Sequence, residues 1–289
     1  MMLALDIGGT KIAAAQVIGG QCVERRQLPM PDNEADFLRT VRALCAGRPA
    51  FEQIAVAVTG YTDGHTVRGV NGSIIPFWNA FPLGPRLQAL LGCRVLILND
   101  AQAAAWGEYT VRSRADCRDL LFMTLSTGVG AGLVLDGRLR TGTQGLAGHF
   151  GHASLPSAEP MLRCGCGRLG CLETLASGTA LARRATAAYG RAMTAQQLFQ
   201  QADAGDARSG HLLNDAARAV AEAIANAQAQ LDLQQVLLGG SVGLAPGMAE
   251  RVQAALADLP ALFQLPVERA RLGADAGLVG VADWASTRH

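Results

Sequence analysis

Three short runs of this chain combine hydroxyls and glycines, one of them with a carboxylate, where a polyanion could be gripped. Asp6-Ile7-Gly8-Gly9-Thr10-Lys11 sets a carboxylate at the end of an apolar run, then a tight turn whose N–H groups and Thr10 hydroxyl can approach phosphate oxygens. A hairpin needing positive φ would use the same glycines, so one such turn decides little. Ser126-Thr127-Gly128-Val129-Gly130-Ala131-Gly132 repeats the design after another apolar run, and two such hairpins can close on one polyphosphate. Gly239-Gly240-Ser241, after a third apolar run, leaves bare backbone against which a flat ring could lie. No Gly-x-x-x-x-Gly-Lys-Ser/Thr occurs, and no Gly-x-Gly-x-x-Gly opens a βαβ unit, which disfavours P-loop and Rossmann readings.

Two further constellations carry chemistry. Asn99-Asp100 falls where a strand gives way to an Ala-rich helix; a carboxylate there can accept a proton, but the commoner role of Asp100 at such a position is the helix N-cap. His152, Cys164, Cys166 and Cys171 offer one imidazole and three thiols, a set suited to tetrahedral structural zinc. The Cys-x-Cys-x4-Cys spacing differs from paired Cys-x2-Cys fingers, so on spacing alone a metal site and ordinary buried thiols both remain open. The other four of the seven cysteines are scattered, unlike a disulfide framework.

These residues need a scaffold, and the apolar pattern supplies one. Leu3 to Ile7 and Ile12 to Ile18 read as a hairpin with a glycine tip, and Leu120 to Ser126 with Ala131 to Leu135 as a second, so the chain looks internally duplicated. Asn33 to Cys45 has helical spacing with Asn33 or Asp32 as cap; Ile54 to Thr59 and Arg94 to Leu98 read as buried strands, the second leading into a helix from Ala101 to about Val111. Helices follow over 178–189, 194–204 and 206–231. Then come a strand at Val236 to Leu238, a helix near Pro246, a strand near Pro266 to Arg269 and a last helix from Ala274. Alternating strands and helices indicate an α/β fold.

Bulk properties narrow the partners. With 289 residues, 49% hydrophobic and 17% charged, the chain can bury an ample core. Net charge is +1 without a Lys/Arg run, so the basic footprint of nucleic-acid or anionic-membrane binding is missing. No apolar stretch reaches spanning length and no leader pattern opens the chain, so the expected address is cytoplasmic and the expected partners are small molecules.

Taken together, Asp6 to Lys11, Asn99-Asp100, Ser126 to Gly132, the stretch from Gly151-His152 through Cys164-x-Cys166-Gly167-x-x-Gly170-Cys171-x-Glu173, and Gly239-Gly240-Ser241 resemble the ROK family of sugar kinases and sugar-responsive repressors, in order and over essentially the whole chain. The resemblance implies an α/β, two-domain actin-like/hexokinase (ribonuclease H-like) fold with a central cleft that closes on substrates. A small domain would span 1–115 and regain the last helix, 274–289; a larger one, 116–273, would carry the zinc loop. It implies a homodimer, with ATP, substrate-associated Mg²⁺ and a structural Zn²⁺ on His152, Cys164, Cys166 and Cys171. It assigns ATP and phosphate binding to Asp6, Gly8, Gly9, Thr10, Lys11, Ser126, Thr127, Gly128, Gly130, Gly239 and Gly240, with Asp6 near Mg²⁺ through water. Asp100 takes the place of the general base. Gly60, Asn71, Asn99, Asp100, His149, His152 and Glu173 take those of sugar contacts, although Glu173 read by itself is an exposed helix-start residue.

One position departs from the family pattern. Where most members carry Glu, Gly148-His149-Phe150-Gly151-His152 puts His149, which when neutral donates or accepts only one bond, so a different set of sugar hydroxyls should be recognised. The stretches Asn99 to Trp106, Gly145 to His149 and Gly239 to Ala245 resemble the branch acting on N-acetylmannosamine, which implies 6-phosphorylation of that amino sugar in sialic acid breakdown. Kinases for glucose, N-acetylglucosamine or fructose are the nearest competing reading, and a non-catalytic sugar sensor a more distant one. A repressor would need a DNA-binding domain ahead of Asp6, which already opens the ATP site.

Overall fold

The structure, a computed structural model, describes residues 2–48, 51–72, 74–112, 117–156 and 161–288. It divides into two compact units: Met1–Arg114 with Leu139–Gly148 and Ala274–His289, and Ala115–Arg138 with His149–Gly273. The junction expected at 115–116 lies outside the described residues.

The first unit is built on β1 (Met2–Ile7), β2 (Lys11–Ile18), β3 (Gln21–Pro29), β4 (Gln53–Val58), the short pair β5 (Tyr61–Thr62) and β6 (Val67–Arg68), and β7 (Arg94–Asn99). Its sheet runs β3-β2-β1-β4-β7, antiparallel through the hairpin and parallel from β1 to β4 to β7. Helices α1 (Glu34–Cys45) and α2 (Leu83–Leu91) cover one face, where Phe37, completely buried, meets Phe77 and Phe81 edge-on or tilted. Asn33 caps α1 by accepting the Asp36 N–H.

The other face is alanine-rich because two helices come close to it and to each other. Ala4, Ala13, Ala15, Ala55 and Ala57 are buried with Ala103 of α3 (Asp100–Thr110) and with Leu278, Val281 and Ala282 from the chain's last helix, Ala276–Ser286. Those two helices cross at glycines: a Cβ on Gly107 would lie 2.6 Å from the Ala276 carbonyl, and one on Gly280 would overlap the Ala103 carbonyl.

The second unit repeats the scheme. β8 (Leu120–Leu125) pairs antiparallel with β9 (Val129–Leu135); short β10 (Arg138–Arg140) marks the junction, and β11 (Gln235–Gly239) lies parallel between β8 and β12 (Val267–Arg269). Its helices are α4 (Glu173–Ala176), α5 (Gly178–Tyr189), α6 (Ala195–Asp203), α7 (Ala207–Leu231), α8 (Gly240–Gly243) and α9 (Met248–Ala257), and the last helix of the first unit is α10 (Ala276–Ser286). Asp206 caps α7, and Thr194 with Gln197 forms a reciprocal capping box on α6. No described helix is long and apolar enough to cross a membrane.

Candidate active site and metal centre

In the first unit, parallel pairing brings the carboxyl ends of three strands into register: Ile7 is level with Val58, and Val58 with Asn99. Open α/β sheets bind ligands at such ends. Here the ends present Asp6, Thr59, Asn99 and Asp100.

Asn99, not Asp100, is the N-cap of α3: its Oδ1 accepts the Gln102 N–H at 3.0 Å. Its Nδ2 donates to the Gly60 carbonyl at 2.7 Å and to Asp100 Oδ1 at 3.0 Å. Asp100 also accepts the Ala101 N–H at 2.7 Å and a hydrogen bond from the Thr59 side chain. The buried Asn99 thus aims Asp100, and the Gly60 carbonyl is engaged in holding Asn99.

Burial dominates the electrostatics. It pushes the Asp100 carboxyl up to about 7, helped by the negative charge of Asp6 and opposed by the three hydrogen bonds. Asp6 is pushed up to about 6, again by burial, with Lys11 and Arg25 pulling the other way. A Cβ on Gly277, in the first turn of α10, would stand 3.2 Å from Asp6 Oδ2, so the helix closes tightly on that carboxylate. Two carboxylates raised by burial, the charge of Asp6 adding to the rise at Asp100, offer oxygen donors suited to a hard divalent cation such as Mg²⁺. A carboxyl near 7 can take a proton at neutral pH.

The Gly8 N–H donates to the Lys11 carbonyl at 3.0 Å, closing the first glycine turn; Thr10 and Lys11 are exposed. In the second unit the turn is shorter than its sequence suggests: Ser126 to Gly128 form it, and Gly130 belongs to β9 opposite Thr124. It is held from three sides. Gly178 and Thr179 donate backbone N–H groups to the Ser126 and Thr127 carbonyls, and Thr179 Oγ1 adds a bond to Thr127 at 2.9 Å. Ser126 Oγ meets Ser241 Oγ at 3.2 Å, and the Val129 N–H donates to Glu173 Oε2 at 3.0 Å.

Gly239 and Gly240 have a packing reason to be glycines. A Cβ on Gly239 would sit 2.8 Å from the Phe122 ring, and Gly240, at φ +79°, turns β11 into α8 against the Leu125 carbonyl. Asn71 lies in the loop after β6, its carbonyl accepting the Ile74 N–H at 3.2 Å.

His152 and the three cysteines do converge. Their ligand atoms lie within 4.8 Å of one another, with Cys164 Sγ 3.5 Å from His152 Nδ1 and Cys166 Sγ 3.6 Å from Cys171 Sγ. Tetrahedral zinc–thiolate bonds of about 2.3 Å set neighbouring sulfurs roughly 3.8 Å apart, so the cluster fits that ion. Residues 164–168 form a tight turn, and the bridges Arg163 to Leu169 and Ser154 to Cys171 carry the thiols to the short 3-10 turn of His152. Without a cation, burial and the neighbouring thiols push Cys171 up to about 12, which a metal would reverse. Glu173 begins α4 half-buried: besides its bond to Val129, its Oε1 lies 3.8 Å from Cys164 Sγ. His149 and His152 stack, ring centroids 6.4 Å apart.

Thr59, Gln102 and Thr179 escape a reading for chemistry, because each works by holding another residue; the signal available was their place beside a strand end or a helix start.

The ROK family model matches residues 2–288. N-acetylmannosamine kinase of Yersinia pseudotuberculosis serotype O:1b is 42% identical over 99% of this chain and 98% of its own length. Among solved structures, a ROK family glucokinase from Streptomyces griseus in complex with glucose and AMPPNP superposes with a TM-score of 0.85 at 29% identity, covering 99% of both chains. The ROK hexokinase of Thermus thermophilus does so with a TM-score of 0.81 at 35% identity, over 97% of this chain and 96% of its own. The two-domain actin-like fold of the sugar kinases therefore runs the length of the molecule, and the chain belongs to the ROK family.

Proposed function

We propose that this chain is an ATP-dependent kinase that phosphorylates the 6-hydroxyl of N-acetyl-D-mannosamine, giving N-acetylmannosamine 6-phosphate and ADP, as in sialic acid breakdown. The choice of sugar rests on the full-length similarity to the Yersinia enzyme. The chemistry rests on one observation: Asp100, oriented by Thr59, Asn99 and the Ala101 N–H, has its carboxyl pushed up to about 7.

Asp100 accepts the proton of the 6-hydroxyl as that oxygen bonds to the γ-phosphorus; the bond from the γ-phosphorus to its bridging oxygen breaks and the electron pair leaves on ADP. Positioning supplies most of the rate in such transfers. The Gly8–Lys11 and Ser126–Gly128 turns hold phosphate oxygens through N–H groups and hydroxyls, and Gly239-Gly240 lies beside the adenosine. Asp6 would hold Mg²⁺ through water, and the ion would neutralise charge on the β- and γ-phosphates. His152, Cys164, Cys166 and Cys171 would hold Zn²⁺, a closed set with no open position, which fixes the loop. His149 and Glu173 contact the sugar, the imidazole replacing a carboxylate and so changing which hydroxyls are satisfied. A homodimer working in the cytoplasm completes the reading.

Incubating the protein with ATP, Mg²⁺ and N-acetylmannosamine and following the mixture by phosphorus NMR tests it. Equal amounts of ADP and a sugar phosphorylated on C6 are expected. ADP with free phosphate and unchanged sugar would contradict the transfer.

A further inference from the structure

The segment 141–148, which leads into His149, has almost no ladder of its own. Glycines at 142, 145 and 148 all have positive φ, and within the segment the Ala147 N–H donates to the Thr141 carbonyl at 3.2 Å. Its shape comes from one side chain beneath it. Gln102, 1% exposed in the first turn of α3, points Nε2 at three of its carbonyls: Thr141 at 3.2 Å, Gly145 at 3.2 Å and Ala147 at 2.9 Å. Two amide hydrogens shared among three acceptors make a compact clamp with the segment wrapped around it. On the opposite side Gly145, at φ +74°, lies so close to the Thr62 backbone that a Cβ would overlap it.

The backbone of Gln102 is tied to the catalytic end of the helix. Its N–H is the group capped by Asn99 Oδ1, and Asn99 Nδ2 donates to Asp100. One residue therefore connects two things: through its main chain the turn that aims Asp100, through its side chain the segment approaching His149. A glutamine is the right length for this. Asparagine would withdraw the amide by one methylene, about 1.5 Å, and leucine would leave three carbonyls facing an apolar group.

We infer that Gln102 is a positioning residue for sugar selectivity: its side-chain amide holds the 141–148 segment that runs on into His149, and its main chain holds the cap that aims Asp100. The inference rests on the kinase reading above, in which Asp100 and His149 address the same sugar. Gln102 itself touches no substrate, so its loss should be felt in the sugar terms and not in the nucleotide terms.

The test is Gln102→Leu, with Gln102→Asn as the milder change should leucine fail to fold. It measures kcat and KM for ATP and for N-acetylmannosamine, N-acetylglucosamine, glucose and mannose, and amide hydrogen exchange across 141–148 in the unliganded full-length protein. Expected are exchange in that segment at least tenfold faster, KM for N-acetylmannosamine raised at least tenfold, KM for ATP within twofold, and a narrower spread of kcat/KM among the sugars. Faster exchange with sugar KM and selectivity unchanged would overturn the inference. So would a parallel loss in both substrates, the mark of a merely structural residue. An active wild type with an unaffected variant defeats only this inference, whereas a wild type inactive on every sugar defeats the kinase reading on which it stands.

Discussion

At the scale of single residues the decisive group is Asp100, because what makes it costly to fold around also makes it reactive. Its folded pKa of about 7 lies above the ordinary aspartate value, so the folded chain holds the proton more tightly than the unfolded one. Stability from this group is complete below about pH 4 and is lost as pH rises through about 7. Asparagine at 100 cannot ionise and can still accept the Ala101 N–H. Asp100→Asn should therefore melt a few degrees above the wild type at pH 8 and level with it at pH 4, by scanning fluorimetry of the unliganded protein. Equal melting at pH 8 would contradict the desolvated carboxylate. The same variant should lose about 10²–10⁴-fold in kcat, and wild-type kcat/KM should rise with pH through an acid limb near 7. A loss under tenfold would remove Asp100 as the base. His149→Glu restores the carboxylate usual in the family and should raise kcat/KM for glucose or N-acetylglucosamine relative to N-acetylmannosamine by about tenfold or more. Unchanged ratios would mean that this side chain does not select the sugar.

Between residues and the whole stand the elements, and two of them carry tests. The α3–α10 crossing depends on glycines in backbone contact, so Gly280→Ala should destabilise by about 1–3 kcal/mol in urea unfolding; a neutral result would mean the helices separate freely. The cysteine loop is followed by Glu173 and the Gly178–Thr179 start of α5, both of which hold the Ser126–Gly128 turn. Stripping the metal with a chelator, or Cys166→Ser, should therefore raise KM for ATP as well as lower the melting temperature. Metal analysis of protein purified without chelator should find one zinc per chain, and its absence would undo the reading of the four ligands. The hairpins β1–β2 and β8–β9 were legible as apolar runs around glycine turns, and the α1 cap as Asn33 before a helical stripe. β3 was not, because residues 21–29 form an exposed sheet edge with Glu24, Arg25, Arg26 and Gln27 and so lack the apolar alternation of a half-buried strand. α2 was missed for want of a cap signal: Pro82 precedes it without a side-chain bond. The site followed the same rule. Residues of distinctive chemistry, Asp100 and the Cys/His set, stood out; Gln102 and Thr179, whose work lies in contacts with segments distant in sequence, did not. The choice of Asn99 over Asp100 as cap turns on side-chain geometry that adjacent cap-forming residues leave undetermined.

Across the whole molecule the duplication is the organising fact. Each unit sets a glycine-tipped antiparallel hairpin beside parallel strands, β2-β1-β4-β7 in one and β9-β8-β11-β12 in the other. The residues proposed for catalysis and sugar selection stand beside these repeated elements, in local segments where the two units differ: Asn99-Asp100 at the start of α3, the 141–148 segment, and the cysteine loop. The fold alone does not fix the reaction; in the proposed reading both phosphate transfer and the choice of acceptor rest on a few side chains. The most direct test is to compare kcat/KM for N-acetylmannosamine, N-acetylglucosamine, glucose, mannose and fructose with ATP and Mg²⁺. The expected result is a preference for N-acetylmannosamine of at least tenfold over every other sugar. A stronger preference for another of the five would keep the mechanism and reject the substrate, and no phosphorylation of any would contradict the account.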